Sequence, residues 1–145
     1  MVKSQRSFTT SSPSETFEYA EKFAQKLDGG AVLALTGELG SGKTLFTQGL
    51  AKGLGIKNQL ISPTYILMRH YIGEKFNLYH VDLYRLESTT EMESLGLDEI
   101  WLELDNIVVI EWAEKMKSLL PKETMFLNFE YLSEASRKIT VGERR

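Results

Sequence analysis

A chain of 145 residues, 42% hydrophobic and 26% charged, has material for one domain built on a central sheet with packed helices, and it needs no covalent staples. The absence of cysteine excludes a disulfide framework and any thiolate metal site, and fits a reducing, cytoplasmic setting. The formal net charge of −3 argues against a broad electrostatic grip on nucleic acid, and no apolar run reaches the length of a membrane span or resembles a secretory leader.

Val2 to Thr10 reads as an edge strand. Ser12-Pro13-Ser14-Glu15 is a capping box with proline at the first helical position. Phe17, Ala20, Phe23, Ala24 and Leu27 then recur at helical spacing until Asp28-Gly29-Gly30 stops the helix. Ala31 to Thr36 is a continuous apolar run ending in threonine, which suits a parallel strand covered on both faces. A second helical pattern runs from Gly42 to about Leu54, where Gly49 and Gly53 lie four apart and either permit close packing against the sheet or are simply tolerated weak spots of the helix. Ser62-Pro63-Thr64 breaks the chain, and Tyr65 to Ile72 with Phe76 to Arg85 read as a hairpin around Gly73-Glu74-Lys75. Ser88-Thr89-Thr90-Glu91 is a second capping box, opening a short helix through Leu95 that Gly96 stops, and an acidic helical piece continues to about Leu104. Ile107 to Ile110 is another buried strand, and Thr124 to Tyr131 with Arg137 to Val141 form a closing pair. There is no internal repeat, linker or low-complexity tract.

Gly37-Glu38-Leu39-Gly40-Ser41-Gly42-Lys43-Thr44 satisfies G-x-x-x-x-G-K-[ST] between an apolar strand and a helix, the context that gives this motif its meaning. Its glycines let the backbone curl around a phosphate chain, with successive N–H groups and the positive helix end aimed at the anion. Lys43 supplies a point charge to the β and γ phosphates, and the Thr44 hydroxyl stands where it can bind Mg²⁺.

A phosphate loop needs a metal-side carboxylate at the tip of a neighbouring strand, because ligands of open α/β sheets sit beyond the strands' carboxyl ends. Glu111 follows four apolar residues and meets that description. Asp82 competes for the role from His80-Val81-Asp82-Leu83-Tyr84-Arg85, where alternation sets His80, Asp82 and Tyr84 on one face and Arg85 on the other. Taken singly, His80 and Tyr84 are more often hydrogen-bonded core residues, and Arg85 a surface ion pair. Thr64, after Pro63, could reach the γ-phosphate and Mg²⁺ as a switch loop does. Trp112 could stack on a ring or simply fill the core. The acidic run from Glu91 to Glu103 reads as a solvated helical face, or more sharply as the complement of a partner's basic patch.

Three classes of phosphate-loop protein compete. A GTPase should show D-x-x-G and N-K-x-D, and neither occurs. A metabolite kinase usually needs an arginine-bearing lid and a substrate insert, for which six arginines and the remaining length leave little room. An ATPase that serves a partner fits best, with slow intrinsic turnover expected because no obvious arginine finger lies inside the chain, although Arg85 could act in cis. A small-molecule kinase, or a nucleotide-dependent adaptor that needs no hydrolysis, remains the alternative.

The phosphate loop, Ser62-Pro63-Thr64-Tyr65, His80-Val81-Asp82-Leu83-Tyr84-Arg85 and Glu111-Trp112, in this order and spacing, together resemble the TsaE family, bacterial P-loop proteins of tRNA threonylcarbamoyladenosine biosynthesis. The resemblance runs from about Thr16 to Leu120, with Ser41 where the family commonly has alanine. It implies an ATPase that works with the TsaD and TsaB proteins and supports their turnover without itself transferring the group, so that tRNA is met only through the complex. ATP and Mg²⁺ are the implied ligands. Implied roles are Leu39, Gly40, Ser41, Gly42 and Lys43 around the phosphates, Thr44 and Glu111 on Mg²⁺, Asp82 at the hydrolytic site, Thr64 as a switch-like residue and Trp112 near the active site. The segments Pro13 to Thr16 and Ser136-Arg137 match regions that approach the nucleotide. The expected architecture is α/β, a three-layer P-loop NTPase fold of residues 1–145 with a central, partly parallel mixed sheet flanked by helices.

Overall fold

The computed structural model describes the backbone of residues 2–61 and 67–144, and the side chains of 5–61 and 67–142. Along the chain come β1 (Val2–Thr10), α1 (Pro13–Ala24), β2 (Val32–Gly37), α2 (Lys43–Gly53), β3 (Met68–Tyr71) and β4 (Asn77–Asp82). They are followed by α3 (Thr89–Glu93), α4 (Leu97–Leu102), β5 (Asn106–Glu111), a 3₁₀ segment (Ala113–Leu119), β6 (Met125–Tyr131) and β7 (Arg137–Arg144). The strands form one sheet in the order β1-β7-β6-β2-β5-β4-β3. Its middle is parallel, β2 pairing with both β5 and β6 and β5 with β4, while β7, β1 and β3 add antiparallel strands toward the edges.

The uniformly apolar runs of β2 and β5 conceal a period of two, because each face meets its own core. Leu33, Leu35, Ile107 and Val109 join the side chains of α1 and α2. Val32, Ala34, Val108 and Ile110 join those of α3, α4 and the 3₁₀ segment. Three layers result, as expected for a P-loop fold.

Local chemistry sets the element ends. The Ser12 hydroxyl accepts from the Glu15 N–H at 3.1 Å, and the Glu15 carboxylate reaches back to the Ser11 N–H at 3.3 Å, one residue earlier than a standard capping box. Gly49 and Gly53 make the predicted close approach, but against α1 and not the sheet. A Cβ at Gly49 would fall 2.4 Å from the Phe17 carbonyl oxygen, and one at Gly53 2.4 Å from that of Glu21. Both steps advance four residues along each helix in the same sense, so α1 and α2 run parallel and their N-termini share one end of the sheet.

The hairpin is real but shorter than its sequence pattern, with Met68 opposite Val81 and Tyr71 opposite Leu78; the part of the reading on Tyr65 and Ile66 lies outside the described residues. β4 stops at Asp82 because its carboxylate accepts the Tyr84 N–H at 2.9 Å and turns the chain. Tyr84 therefore leaves the face it was expected to share with His80 and Asp82, and is 53% exposed. α3 ends at Glu93, short of Leu95, with Ser94 as its C-cap, and Gly96, at a φ of 69°, instead opens α4, which ends at Leu102, short of Leu104. Among the described residues no helix is long and apolar enough to cross a membrane.

Candidate functional site

β2 delivers the chain to the phosphate loop at Gly37, where no side chain fits: a Cβ there would lie 2.5 Å from the Phe129 carbonyl oxygen. The loop closes with the Ser41 N–H donating to the Glu38 carbonyl at 3.1 Å, and Gly42, at a φ of 104°, supplies the left-handed step that starts α2. Lys43, the first residue of α2, folds back so that its ammonium donates to the Gly37 carbonyl and lies 4.3 Å above the Trp112 ring centre. Lys43 is buried, and burial pushes its pKa below the ordinary 10.5, opposed by the nearby carboxylates of Glu111, Glu114 and Asp82.

The parallel pairing of β4 and β5 sets Asp82 directly opposite Glu111, and β2 places Leu35 beside Glu111 on its other flank. Both carboxylates are 4% exposed and stand at the strand ends from which the loop also emerges. The Thr44 hydroxyl lies 3.3 and 3.5 Å from the two Glu111 oxygens. Trp112, the next residue, has a φ of 59°, a left-handed backbone that a large side chain adopts at a cost. That turn swings its ring under Lys43 and to 5.1 Å from the Tyr84 ring.

These groups open on one cavity of about 480 Å³, lined by residues 39–45 of the loop together with Asp82, Tyr84, Glu111, Trp112 and Arg137. Leu39 stands at its rim, 89% exposed. Thr64 and Pro63 lie outside the described residues. Pro13 and Thr16 sit at the end of α1 nearest the loop but do not line the cavity; the Thr16 hydroxyl is engaged with that of Thr10 at 2.7 Å. Ser136 also lies outside the lining, its carbonyl taking the N–H groups of Leu132 and Ser133.

Its neighbour Arg137 does line the cavity, as the resemblance of that segment implied. The guanidinium donates to the Gly40 carbonyl at 3.1 Å and lies 4.5 Å from the Tyr131 ring centre. Pairing of β7 with β6 and β1 is what carries Arg137 there, a juxtaposition that no local pattern announces. Arg85, the sequence's candidate, is not in the lining. Also missed was the contact of His80 Nε2 with Glu111 Oε2, at 2.5 Å; the two residues stand in separately read motifs.

The donor set fits a nucleotide phosphate with Mg²⁺. Thr44 and Glu111 already gather hard oxygens, and among the described residues no group of three or more His, Cys, Asp or Glu forms a protein-only cage. Mg²⁺ characteristically takes one or two protein oxygens and completes its octahedron with phosphate and water. The buried Ser41 hydroxyl oxygen, with no hydrogen-bond partner among the described residues, is a further polar group awaiting one.

Sheet order, loop and cavity define a P-loop protein. The sequence profile described as "Threonylcarbamoyl adenosine biosynthesis protein TsaE" matches residues 10–139. A tRNA threonylcarbamoyladenosine biosynthesis protein TsaE from Treponema pallidum is 38% identical over 131 residues, covering 90% of this chain and 96% of that protein. One from Bacillus subtilis is 38% identical over 143 residues, covering 97% and 89%. The crystal structure of YdiB from the same species superposes with a TM-score of 0.83 at 33% identity, covering 100% of this chain and 88% of that one. The chain belongs to the TsaE family of tRNA threonylcarbamoyladenosine biosynthesis.

Proposed function

We propose that this chain, acting as a single cytoplasmic domain, is a Mg²⁺-dependent ATPase whose hydrolysis supports the TsaD–TsaB complex in threonylcarbamoyladenosine formation. The observation that carries this reading is the convergence of Lys43, Thr44, Asp82 and Glu111 on one cavity. The loop amides and the α2 N-terminus bind the triphosphate. Lys43 moves from the Gly37 carbonyl and the Trp112 face to the β and γ phosphates. Thr44 and Glu111 hold Mg²⁺, which when bound neutralises charge on the phosphate oxygens. Asp82 orients the attacking water and takes its proton as ATP and water become ADP and phosphate. Arg137 adds a cation at the mouth, and Thr64 responds to the γ-phosphate. The protein does not transfer the threonylcarbamoyl group itself and meets tRNA only through the complex.

The test is nucleotide affinity and phosphate release, without any small-molecule acceptor, for Lys43→Ala, Asp82→Ala and Glu111→Ala, together with a pull-down of TsaD and TsaB with and without ATP. Lys43→Ala should lose binding, and Asp82→Ala should keep binding and lose turnover. Full turnover in Asp82→Ala would sink its catalytic role. ADP formation that requires a small-molecule acceptor and leaves no matching free phosphate would make the protein a kinase. Asp82→Ala supporting tRNA modification as well as wild type would make it an adaptor, and no association under either condition would remove the partner assignment.

A further inference from the structure

His80 lies beneath the site, in β4, with no exposed surface and no part in the cavity lining. Its Nε2 is 2.5 Å from Glu111 Oε2. A carboxylate only accepts, so the hydrogen of this contact belongs to Nε2. Nδ1 is buried with no hydrogen-bond partner among the described residues. A histidine that merely satisfied the core would be expected to use both nitrogens; this one commits its single contact to a carboxylate whose oxygens also face the Thr44 hydroxyl.

Register explains the aim. His80 pairs with Val109, and Asp82 with Glu111. On adjacent parallel strands a two-residue step keeps the same face, so His80 reaches diagonally along the pleat to Glu111, and Asp82 stands one step beyond it. A glutamate side chain has several rotamers, and one held oxygen restricts them. We infer that His80 is a positioning residue: by holding Oε2 it fixes the Glu111 carboxylate toward Thr44 for Mg²⁺, and leaves Asp82 for the water. This rests on the proposed role of Glu111 as a Mg²⁺ ligand. Outer hydrogen-bond partners of metal ligands are worth about 10- to 100-fold in metal affinity, which sets the size of the expected effect.

The experiment is calorimetric binding of a non-hydrolysable ATP analogue over a Mg²⁺ titration and in EDTA. It uses His80→Leu, His80→Asn and His80→Gln, each alone and combined with Glu111→Ala. The glutamine amide nitrogen can stand where Nε2 does, whereas that of asparagine stands nearer Nδ1. His80→Leu and His80→Asn should weaken apparent Mg²⁺ affinity about tenfold with analogue binding in EDTA unchanged. His80→Gln should restore most of it, and none of the three should matter once Glu111 is alanine.

Wild-type Mg²⁺ affinity in His80→Asn overturns the inference. So does an equal loss in the Glu111→Ala background, or a glutamine variant no better than asparagine. If His80→Leu fails to fold, the Asn and Gln pair still decides. Unchanged Mg²⁺ affinity in Glu111→Ala alone would instead defeat the metal role of Glu111, and the inference with it. Dependence on Glu111 without dependence on His80 defeats the inference only.

Discussion

The Lys43 ammonium rests 4.3 Å above the ring centre of Trp112, so the cation proposed to meet phosphate is held on an aromatic face beside the Gly37 carbonyl. Triphosphate binding should draw it away and change the surroundings of the indole. In a Trp101→Phe background, where Trp112 is the remaining tryptophan, a saturating ATP analogue should alter the emission. Unchanged emission at saturation would show that Lys43 stays where it is.

The left-handed backbone at Trp112, with a φ of 59°, stores strain that an alanine inherits and a glycine does not. Trp112→Gly should therefore be more stable than Trp112→Ala by about 1 kcal/mol, read as a higher urea midpoint at equal slope. Alanine equal to or better than glycine would rule out backbone strain there.

The lowered pKa of Lys43 has two consequences of opposite sign. Nucleotide affinity should fall as pH rises through that lowered value, before ordinary lysines near 10.5 titrate, because the free protein then loses the cation that phosphate needs. Stability of the nucleotide-free protein should rise with pH between the folded value and 10.5, since in that window the unfolded chain binds the extra proton. Lys43→Arg should flatten the affinity profile and Lys43→Met should remove the stability increment, each as a difference from wild type. A wild-type affinity constant up to the ordinary lysine range would contradict the shift.

Alanine at Gly49 ought to gain about 1 kcal/mol of helix propensity. The Phe17 carbonyl oxygen, 2.4 Å from where the methyl would sit, reverses that sign. Denaturant unfolding of Gly49→Ala should show a net loss of about 1–3 kcal/mol, and a stabilised variant would mean that α1 can step aside.

What the sequence made legible was local. The apolar run into the glycine loop, the helix behind it, the strand ending at Glu111 and both capping boxes are each written within a dozen residues, and all appear in the fold. Long-range register was not legible. Gly49 and Gly53 announced a close approach, but the neighbour read for them was the sheet, and it proved to be α1. The closing pair of β6 and β7 was foreseen, but nothing local said that β6 would lie parallel to β2. Arg137 reaches Gly40 across 97 residues of sequence, and His80 reaches Glu111 across 31; both depend on strand order, which periodicity does not encode.

The loop that begins at Gly37 is made before its walls. Glu111 and Trp112 line it from β5 onward, Phe129 presses on Gly37 from β6, and Arg137 touches Gly40 from β7. A nascent chain halted after α2 carries the whole phosphate motif and none of these supports. On the ribosome, therefore, the cavity at the loop is not fully walled until β7 has emerged, and nucleotide capture there, as proposed, would follow the pairing of that strand.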